Sequence, residues 1–225
     1  MGIEKQYNLI GKDYIKGQSE YFSKREGEAR KFIRKFLKNV QKKKVLDVGC
    51  GSGEDILACE KLGAKEVYGI DISSFMIKEA KKRVSTPSNL KICDLKKINF
   101  ESKFFDIVIS RFSLNYIKNL NKAFTEIGRV LKKRGMLIII LPHPFRDLTL
   151  QKKKVYGKKE IINMDLYKNK VKVFYPSHSL EDYLSTTFFS EFDLREVFEE
   201  SSPEEYIKKN NFITPGFLGI MAIKR

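Results

Sequence analysis

Apolar runs alternate with amphipathic segments between residues 44 and 142 of the chain. Five runs rich in Val, Ile and Leu predict buried strands, at residues 44–49, 66–71, 90–94, 105–112 and 136–142. Three segments between them have helical spacing, at residues 54–63, 73–84 and 120–135. Strands that are apolar on both faces and alternate with helices are typical of a parallel sheet with helices packed against it. The pattern therefore predicts an α/β fold.

The alternation changes after Pro142. Residues 143–180 show no clear strand–helix unit and predict a hairpin, and the segments that follow predict a helix at 179–192, a strand at 193–200, a capped helix at 202–211 and a last strand at 217–225. An irregular insertion after a sheet strand is typical of a lid or a substrate-binding wall. We therefore expect one domain over residues 1–225, with an inserted lid at 143–180.

Lysine gives the chain a strong positive charge. Its 225 residues include 44 Lys and Arg against 28 Asp and Glu, a formal net charge of +16. The lysines can simply be solvated surface residues, or they can form a basic surface that binds a polyanion such as nucleic acid. The scarcity of Arg favours the first interpretation. No apolar run reaches the ~20 residues of a membrane span. Three irregularly spaced cysteines predict a reduced, cytoplasmic protein without a disulfide framework or a metal site, and nothing predicts the oligomeric state.

The segment KVLDVGCGSG carries glycine at every second position directly after a strand, at Gly49, Gly51 and Gly53. Such a turn lets a ligand lie against bare backbone. The segment lacks the Gly-Lys of a phosphate-binding loop, and a dinucleotide fingerprint fails because Glu54 stands at its third glycine. Asp47 ahead of the turn would repel a pyrophosphate and attract an ammonium.

Two further acids end the next two strands. Asp71 is placed to accept both hydroxyls of a ribose, and Asp94 could receive the amino group of an adenine beside the amide of Leu95. A ligand with an ammonium, a ribose and an adenine but no phosphate is S-adenosylmethionine. Each acid also has a structural interpretation: Asp47 as a turn cap, Asp71 as a helix N-cap and Asp94 as a strand-end turn residue.

Four motifs in order, VLDVGCGSG, VYGIDIS, CDL and FDIVISRFSLNYI, resemble the class I S-adenosylmethionine-dependent methyltransferases of the small-molecule type. The resemblance covers about residues 40–141. It implies a Rossmann-like, seven-stranded, mostly parallel sheet with an antiparallel last strand, helices on both faces and the inserted lid after strand five. It also implies an N-terminal helical cap at residues 1–40.

The resemblance implies S-adenosylmethionine as cofactor and S-adenosylhomocysteine as product. The resemblance implies that the methionine moiety of the cofactor lies along the glycine loop and that the methionine end meets the backbone after strand four. It also implies that the adenine lies against the segment after strand two. Met76 has a competing interpretation as a core residue, and Cys50 as a space-filler. The cofactor-binding residues that we expect from the motifs are Tyr14, Asp47, Gly49, Cys50, Gly51, Gly53, Asp71, Ile72, Met76, Asp94, Leu95 and Arg111.

The acceptor leaves weaker signals. The residues SRFS at 110–113 stand where nucleic-acid amine methyltransferases carry a Pro pair, and no cysteine has the context of a base-carbon nucleophile. His143 follows strand five and His178 begins the helix after the insertion, so we expect either to line the acceptor site, with His143 as a candidate base or acceptor contact. Asn115 and Tyr116 after strand four are further candidates. Each histidine could instead be a structural residue of its loop or helix start.

These signals predict transfer of a methyl group to an O or N atom of a small-molecule acceptor. Two alternatives stay open at this stage. One is an RNA or tRNA methyltransferase that uses the basic surface, and the other is a non-catalytic protein that binds S-adenosylmethionine.

Overall fold

A seven-stranded sheet runs through the centre of the computed structural model, which describes residues 2–20, 24–168, 170–200 and 215–225. The sheet order is β3-β2-β1-β4-β5-β9-β8, and a two-stranded hairpin, β6-β7, stands apart from it. The strands are β1 Lys44–Val48, β2 Glu66–Asp71, β3 Leu90–Ile92, β4 Phe105–Arg111, β5 Leu131–Pro142, β6 Ile161–Leu166, β7 Val171–Pro176, β8 Phe192–Glu199 and β9 Phe217–Lys224. Strand β9 pairs antiparallel with both of its neighbours. The predicted sheet, with its antiparallel last strand, is confirmed.

Helices cover both faces of the sheet. They are α1 Ile3–Glu20, α2 Lys24–Phe36, α3 Glu54–Lys61, α4 Ser74–Lys81, α5 Leu120–Val130, α6 Pro144–Leu150, α7 Leu180–Tyr183 and α8 Thr186–Glu191. Alternate residues of β5 serve the two faces: Ile139 packs in a core with Phe124 of α5, while Ile138 packs in a core with Ile33 of α2. This alternation explains why the strand is apolar at every position.

A third, smaller core joins the hairpin to α1. Ile162, Val173 and Tyr175 are buried against Ile10 and Tyr14 of α1. The inner face of the hairpin is apolar and its outer face is exposed, as the alternation of buried and exposed residues along β7 shows. Helix α1 and the hairpin thus lie together.

The structure differs from the predicted helices at three places. The helix predicted at 120–135 ends at Val130, because Leu131 already pairs with Phe105 of β4 and Arg134 has a positive φ of 63°. The helix predicted at 179–192 is two short helices, each started by its own serine cap, Ser179 and Ser185. Helix α6 lies inside the insertion, where the sequence predicted only a hairpin. The helix predicted at 202–211 lies outside the described residues.

Candidate functional site

A cavity opens where β1, β2 and β4 end, at the carboxyl edge of the sheet. This edge is where open α/β sheets bind ligands, because the strand order reverses between β1 and β4 and leaves a crevice. Helix α1 lines the cavity from the other side through Ile3, Tyr7, Tyr14 and Gln18. The other wall residues are Gly49, Cys50, Gly51, Ser52, Glu54, Asp71, Ile72, Met76, Cys93, Asp94, Leu95, Arg111, Phe112, Ser113, Tyr116 and Ile117.

The glycine loop needs its glycines for two different reasons. Gly49 has φ +72°, and a Cβ there would lie 2.2 Å from Cβ of Ser113, whose hydroxyl donates to the carbonyl of Val48 at 2.8 Å. Gly51 has φ +50°, and a Cβ there would meet nothing within 4 Å. Since Gly51 also lines the cavity, its missing side chain leaves room for a ligand against the backbone.

Asp71 is held by the loop it faces. Its Oδ2 accepts the amide N–H of Gly51 at 2.9 Å and its Oδ1 accepts that of Ser73 at 2.8 Å. Burial raises the pKa of this carboxyl, against the lowering effect of the backbone hydrogen bonds. Each carboxylate oxygen has a second lone pair, so a carboxylate oriented in this way can still accept from the two hydroxyls of a diol.

Beneath the loop lies a buried group of charges with more acids than bases. Nε of Arg111 donates to Oδ2 of Asp55 at 2.5 Å. Asp47 is buried behind the loop, 2% exposed, and its pKa is raised well above the ordinary value by burial and by Asp55, against the lowering effect of Arg111. Arg111 thus pairs with Asp55 and acts electrostatically on Asp47, and Asp71 adds a third carboxyl group nearby. This group of carboxyls suits a cationic ligand.

Helix α1 is fastened over the cavity at three places. Oδ1 of Asn8 accepts from the hydroxyl of Ser73 at 2.7 Å and from the amide of Phe75 at 3.2 Å, at the start of α4. Oε1 of Gln6 accepts the amide of Phe174 on the hairpin at 3.0 Å. The Tyr7 and Tyr116 hydroxyls are 2.6 Å apart in a hydrogen bond.

A family model described as methyltransferase domain matches residues 46–139, which include the glycine loop, Asp71, Asp94 and Arg111. This part of the chain is similar to a methyltransferase domain.

Solved structures and curated relatives agree with this domain. A S-adenosylmethionine-dependent methyltransferase from Mesorhizobium loti superposes with a TM-score of 0.68 at 20% identity, over 85% of this chain and 95% of that one. The [4+2]-cyclase SpnF superposes with a TM-score of 0.70 at 16% identity, over 99% and 95% of the two chains. These likenesses show the fold.

A demethylmenaquinone methyltransferase of Staphylococcus aureus is 35% identical over 101 residues, 43% of this chain and 42% of that protein. An uncharacterized protein of Methanocaldococcus jannaschii is 35% identical over 140 residues, 61% of this chain and 51% of that protein. The chain thus spans about half or less of the length of these relatives.

S-adenosylmethionine is the cofactor that the methyltransferase domain implies, and the residues present fit it. The cofactor carries an ammonium and a sulfonium, which suit the excess of carboxylates around Asp47 and Asp71. The open space at Gly51 leaves room for its chain against the backbone. The fit depends on the charge of these carboxyl groups and on the absence of a side chain at Gly51. Neither property requires a side chain to move.

The residues predicted to hold adenine line one end of the cavity. Ile72, Met76 and Leu95 supply apolar surface, and Met76 is also a core residue, 1% exposed. Asp94 lies in the wall as well, although its Oδ1 accepts the amide of Lys96 at 2.9 Å and Nζ of Lys96 lies 3.1 Å from its Oδ2. Asp94 is therefore a strand-end turn residue that also faces the cavity.

The structure does not place Asp47, Gly53, Asn115, His143 or His178 in the cavity wall, contrary to the prediction from sequence. Asp47 is one residue from the end of β1 and is covered by the loop itself. Gly53 has φ +84° and serves as the N-cap of α3. Both act from behind the wall.

His143 directly follows β5, and its ring contacts β8 and not the cavity. Its Nδ1 accepts the amide of Phe145 at 3.2 Å as the cap of α6, and its Nε2 is 2.8 Å from Oε1 of Glu199 on β8. The side chain is fully buried. Both ring nitrogens are thus engaged in contacts with the fold, and this placement corrects the prediction that His143 contacts the acceptor.

His178 is a buried residue near the end of the insertion. Its Nε2 lies 3.2 Å from the carbonyl oxygen of Asn115, and its ring packs against Tyr183 at 5.2 Å between centroids. Burial, with a smaller effect of Lys159, lowers its pKa to about 4, so the ring is neutral near neutral pH. Oδ1 of Asn115 is buried without a hydrogen-bond partner among the described residues. The structure therefore joins His178 and Asn115 to each other and separates them from the cavity.

Several wall residues escaped the sequence analysis. Ser113 locks the glycine loop, and Glu54 accepts from Arg30 at 3.0 Å and from Arg83 at the start of α3. Phe112 has a positive φ of 53°, which is unusual for a bulky residue. The motif FDIVISRFSLNYI contained Phe112 and Ser113, but only the non-local contact with Gly49 reveals the role of Ser113.

Proposed function

We propose that the chain transfers the methyl group of S-adenosylmethionine to an O or N atom of a small-molecule acceptor. The observation that carries the proposal is the cover formed by α1 and the hairpin over the carboxyl edge of the sheet. The cavity contains about 860 Å³ of empty space, a volume that includes open solvent at its mouth. Residues of α1 and of the strand ends line the same space, so a cofactor and an acceptor can meet there.

In this proposal the methionine end of the cofactor lies along Gly49, Cys50 and Gly51, and the ribose on Asp71. The adenine lies between Ile72 and Met76 on one side and Leu95 on the other. Burial raises the pKa of the Cys50 thiol well above its ordinary value, which keeps it neutral and suits a space-filling role. The bound cofactor would supply an already activated methyl group.

In the same proposal the acceptor binds where three tyrosines line the cavity. Tyr7 meets Tyr14 and Tyr116 edge to face, at 5.4 and 5.5 Å between ring centroids. Burial raises the pKa of Tyr7 and of Tyr116 well above the ordinary value. Their hydroxyls therefore stay protonated at neutral pH and do not act as bases. Because one of the two donates to the other at 2.6 Å, one O–H is left to donate to the acceptor. We propose that they orient the acceptor.

The wall residues of the described chain include no histidine, so the proposed reaction depends on position and on exclusion of water. Holding two reactants in line is worth up to about 7–11 kcal/mol. An acceptor with a free lone pair or an ionised hydroxyl suits such a site, because it needs no base. In the same proposal, α1 and residues 143–180 act as a lid over the acceptor.

A buried polar group adjoins this end of the cavity. Tyr175 packs its ring against Tyr116 at 5.6 Å, accepts from Nη2 of Arg146 at 2.7 Å and donates to Oδ1 of Asp147 at 2.8 Å. Nε of Arg146 and Oδ2 of Asp147 are buried without partners among the described residues. We propose that this group supports Tyr116 and sets the position of the acceptor.

The experiment that tests the proposed function uses S-adenosylmethionine labelled on its methyl group. The purified chain is incubated with pools of phenols, amines and quinols and, separately, with bulk tRNA. We expect label in the extracted small molecules, and we expect Tyr116→Phe to lower the rate while the affinity for the cofactor is kept. Label in the tRNA would favour the nucleic-acid alternative. Tight cofactor binding without transfer to any pool would favour the non-catalytic alternative.

A further inference from the structure

Exposed apolar side chains are concentrated in one part of the surface, between α6 and β6. They are 42–60% exposed, and they are Phe145, Leu150, Val155, Tyr156 and Ile161. The other large exposed apolar residues of the described chain are scattered through its elements. Exposed apolar side chains concentrated in one short segment indicate an interaction surface.

The same segment is strongly basic. The sequence QKKKVYGKKE, residues 151–160, has five lysines and one acid, Glu160. All five lysines are exposed, and Lys159 forms an ion pair with Asp182. Oε2 of Glu160 accepts the amide of Lys152 at 3.1 Å, and its Oε1 is buried without a partner among the described residues. The acid thus serves the backbone of the segment, and the outward charge is positive.

This segment is built into the fold. Nε2 of Gln151 donates to the carbonyl of Lys158 at 3.4 Å, which closes the loop on itself. The amide of Ser177 on the hairpin side donates to the carbonyl of Glu160 at 2.7 Å. The rings of Phe145 and Tyr156 lie 5.3 Å apart, and the hydroxyl of Tyr156 accepts the amide of Leu180 at 2.9 Å. Apolar and basic side chains are therefore presented together on one surface.

We propose that this surface, residues 150–161 with Phe145, docks the protein on an anionic phospholipid membrane. Apolar side chains gain by entering the boundary between headgroups and acyl chains, and lysines beside them gain by meeting anionic headgroups. A membrane needs both features at the same place, and the segment supplies both.

A nucleic acid would use the charge but gain little from Leu150 and Val155. The segment 151–160 also contains no arginine, the side chain that pairs with phosphate through two hydrogen bonds and stacks on bases. The observations thus favour a lipid surface over RNA. This proposal goes beyond the proposed function, since it does not depend on the identity of the acceptor.

The test is sedimentation of the full chain with vesicles of phosphatidylcholine, alone or mixed with phosphatidylglycerol. We expect binding to the mixed vesicles only. Each lysine near an anionic surface contributes about fivefold in affinity, so Lys152→Gln, Lys153→Gln and Lys154→Gln together should weaken binding by at least tenfold and by about a hundredfold at most. Leu150→Ser with Val155→Ser should weaken the binding that persists at high salt.

The matched control replaces three exposed lysines elsewhere, Lys61, Lys65 and Lys122, by Gln, and should retain most of the binding. Equal loss in this control would overturn the proposal, because binding would then follow the net charge of the whole chain. Absence of vesicle binding by the unchanged chain would also overturn it. Salt-sensitive binding of tRNA that is lost in the 152–154 variant, without vesicle binding, would assign the surface to nucleic acid instead.

Discussion

Replacing Gly51 by Ala separates the effect of this glycine on folding from its effect on cofactor binding. In the protein alone, the new Cβ meets nothing within 4 Å. The cost to folding is therefore that of a left-handed alanine at φ +50°, about 1–2 kcal/mol. With S-adenosylmethionine bound, the same methyl group would occupy the space that we assign to the cofactor. Overpacking a tight contact costs about 1–3 kcal/mol, which corresponds to about 5- to 150-fold weaker binding.

The chain offers matched comparisons for this variant. Gly157 has φ +79° and open space at its Cβ, but it lies in the basic loop and not in the cavity wall. Gly157→Ala should therefore show the same loss of stability as Gly51→Ala and an unchanged affinity. Gly49→Ala should lose more stability than either, because its Cβ would clash with Ser113 at 2.2 Å.

The assays are urea unfolding for stability and calorimetric titration with S-adenosylhomocysteine for affinity. We expect Gly51→Ala to lower the affinity by at least fivefold relative to Gly157→Ala. An affinity for Gly51→Ala equal to that of Gly157→Ala would refute the assignment of the cofactor to the glycine loop.

Three further predictions concern charges and contacts around the cavity. Asp47→Asn should unfold at a higher temperature than the unchanged chain at neutral pH. The pKa of the Asp47 carboxyl is raised in the folded state, so its contribution to stability is fully present only below its unfolded pKa of about 3.9. That contribution is lost as the pH rises. The advantage should vanish near about pH 4, and binding of the cationic cofactor should weaken. Asn8→Ala should speed dissociation of the cofactor several-fold in stopped-flow traces, because each lost hydrogen bond between α1 and α4 is worth about 0.5–1.5 kcal/mol. His143→Ala should lower the unfolding free energy by about 0.5–2 kcal/mol through loss of a helix cap, with no change in cofactor affinity.

Asn8→Ala has a matched control, and each of the three predictions has a result that would contradict it. Lys12→Ala, an exposed change on the same helix as Asn8, should leave dissociation unchanged, and an equal effect in both variants would argue against the role of Asn8. An Asp47→Asn protein that is less stable than the unchanged chain at neutral pH would contradict the raised pKa. A His143→Ala protein with normal stability but lost turnover would return His143 to the candidate bases.

Local patterns predict most of the sheet because they depend on neighbours in sequence. Apolar strands such as 136–142 and the cap at Ser73 follow from local composition and from side-chain to backbone hydrogen bonds. The end of α5 was missed because a lysine-rich segment with helical propensity instead turns at Arg134 and pairs with β4. Helix α6 was missed because its cap is a histidine, which is rarely used in this role.

In the candidate site, too, local sequence predicts some features and misses others. The glycine spacing predicts a backbone with positive φ, which glycine adopts at no steric cost. Gly49, Gly51 and Asp71 do come together at the carboxyl edge. The histidines were misplaced because their position after a strand says nothing about the direction of the side chain. His143 turns toward Glu199, which is 56 residues away in sequence, and such a contact becomes visible only in the folded chain.

A crystal structure of the chain with S-adenosylhomocysteine tests the central claim most directly. The account predicts density for the ribose within hydrogen-bond distance of Asp71, the homocysteine chain against Gly51, and the sulfur facing the hydroxyls of Tyr7 and Tyr116. Density for the ligand away from the glycine loop, or a sulfur turned away from these tyrosines, would contradict it.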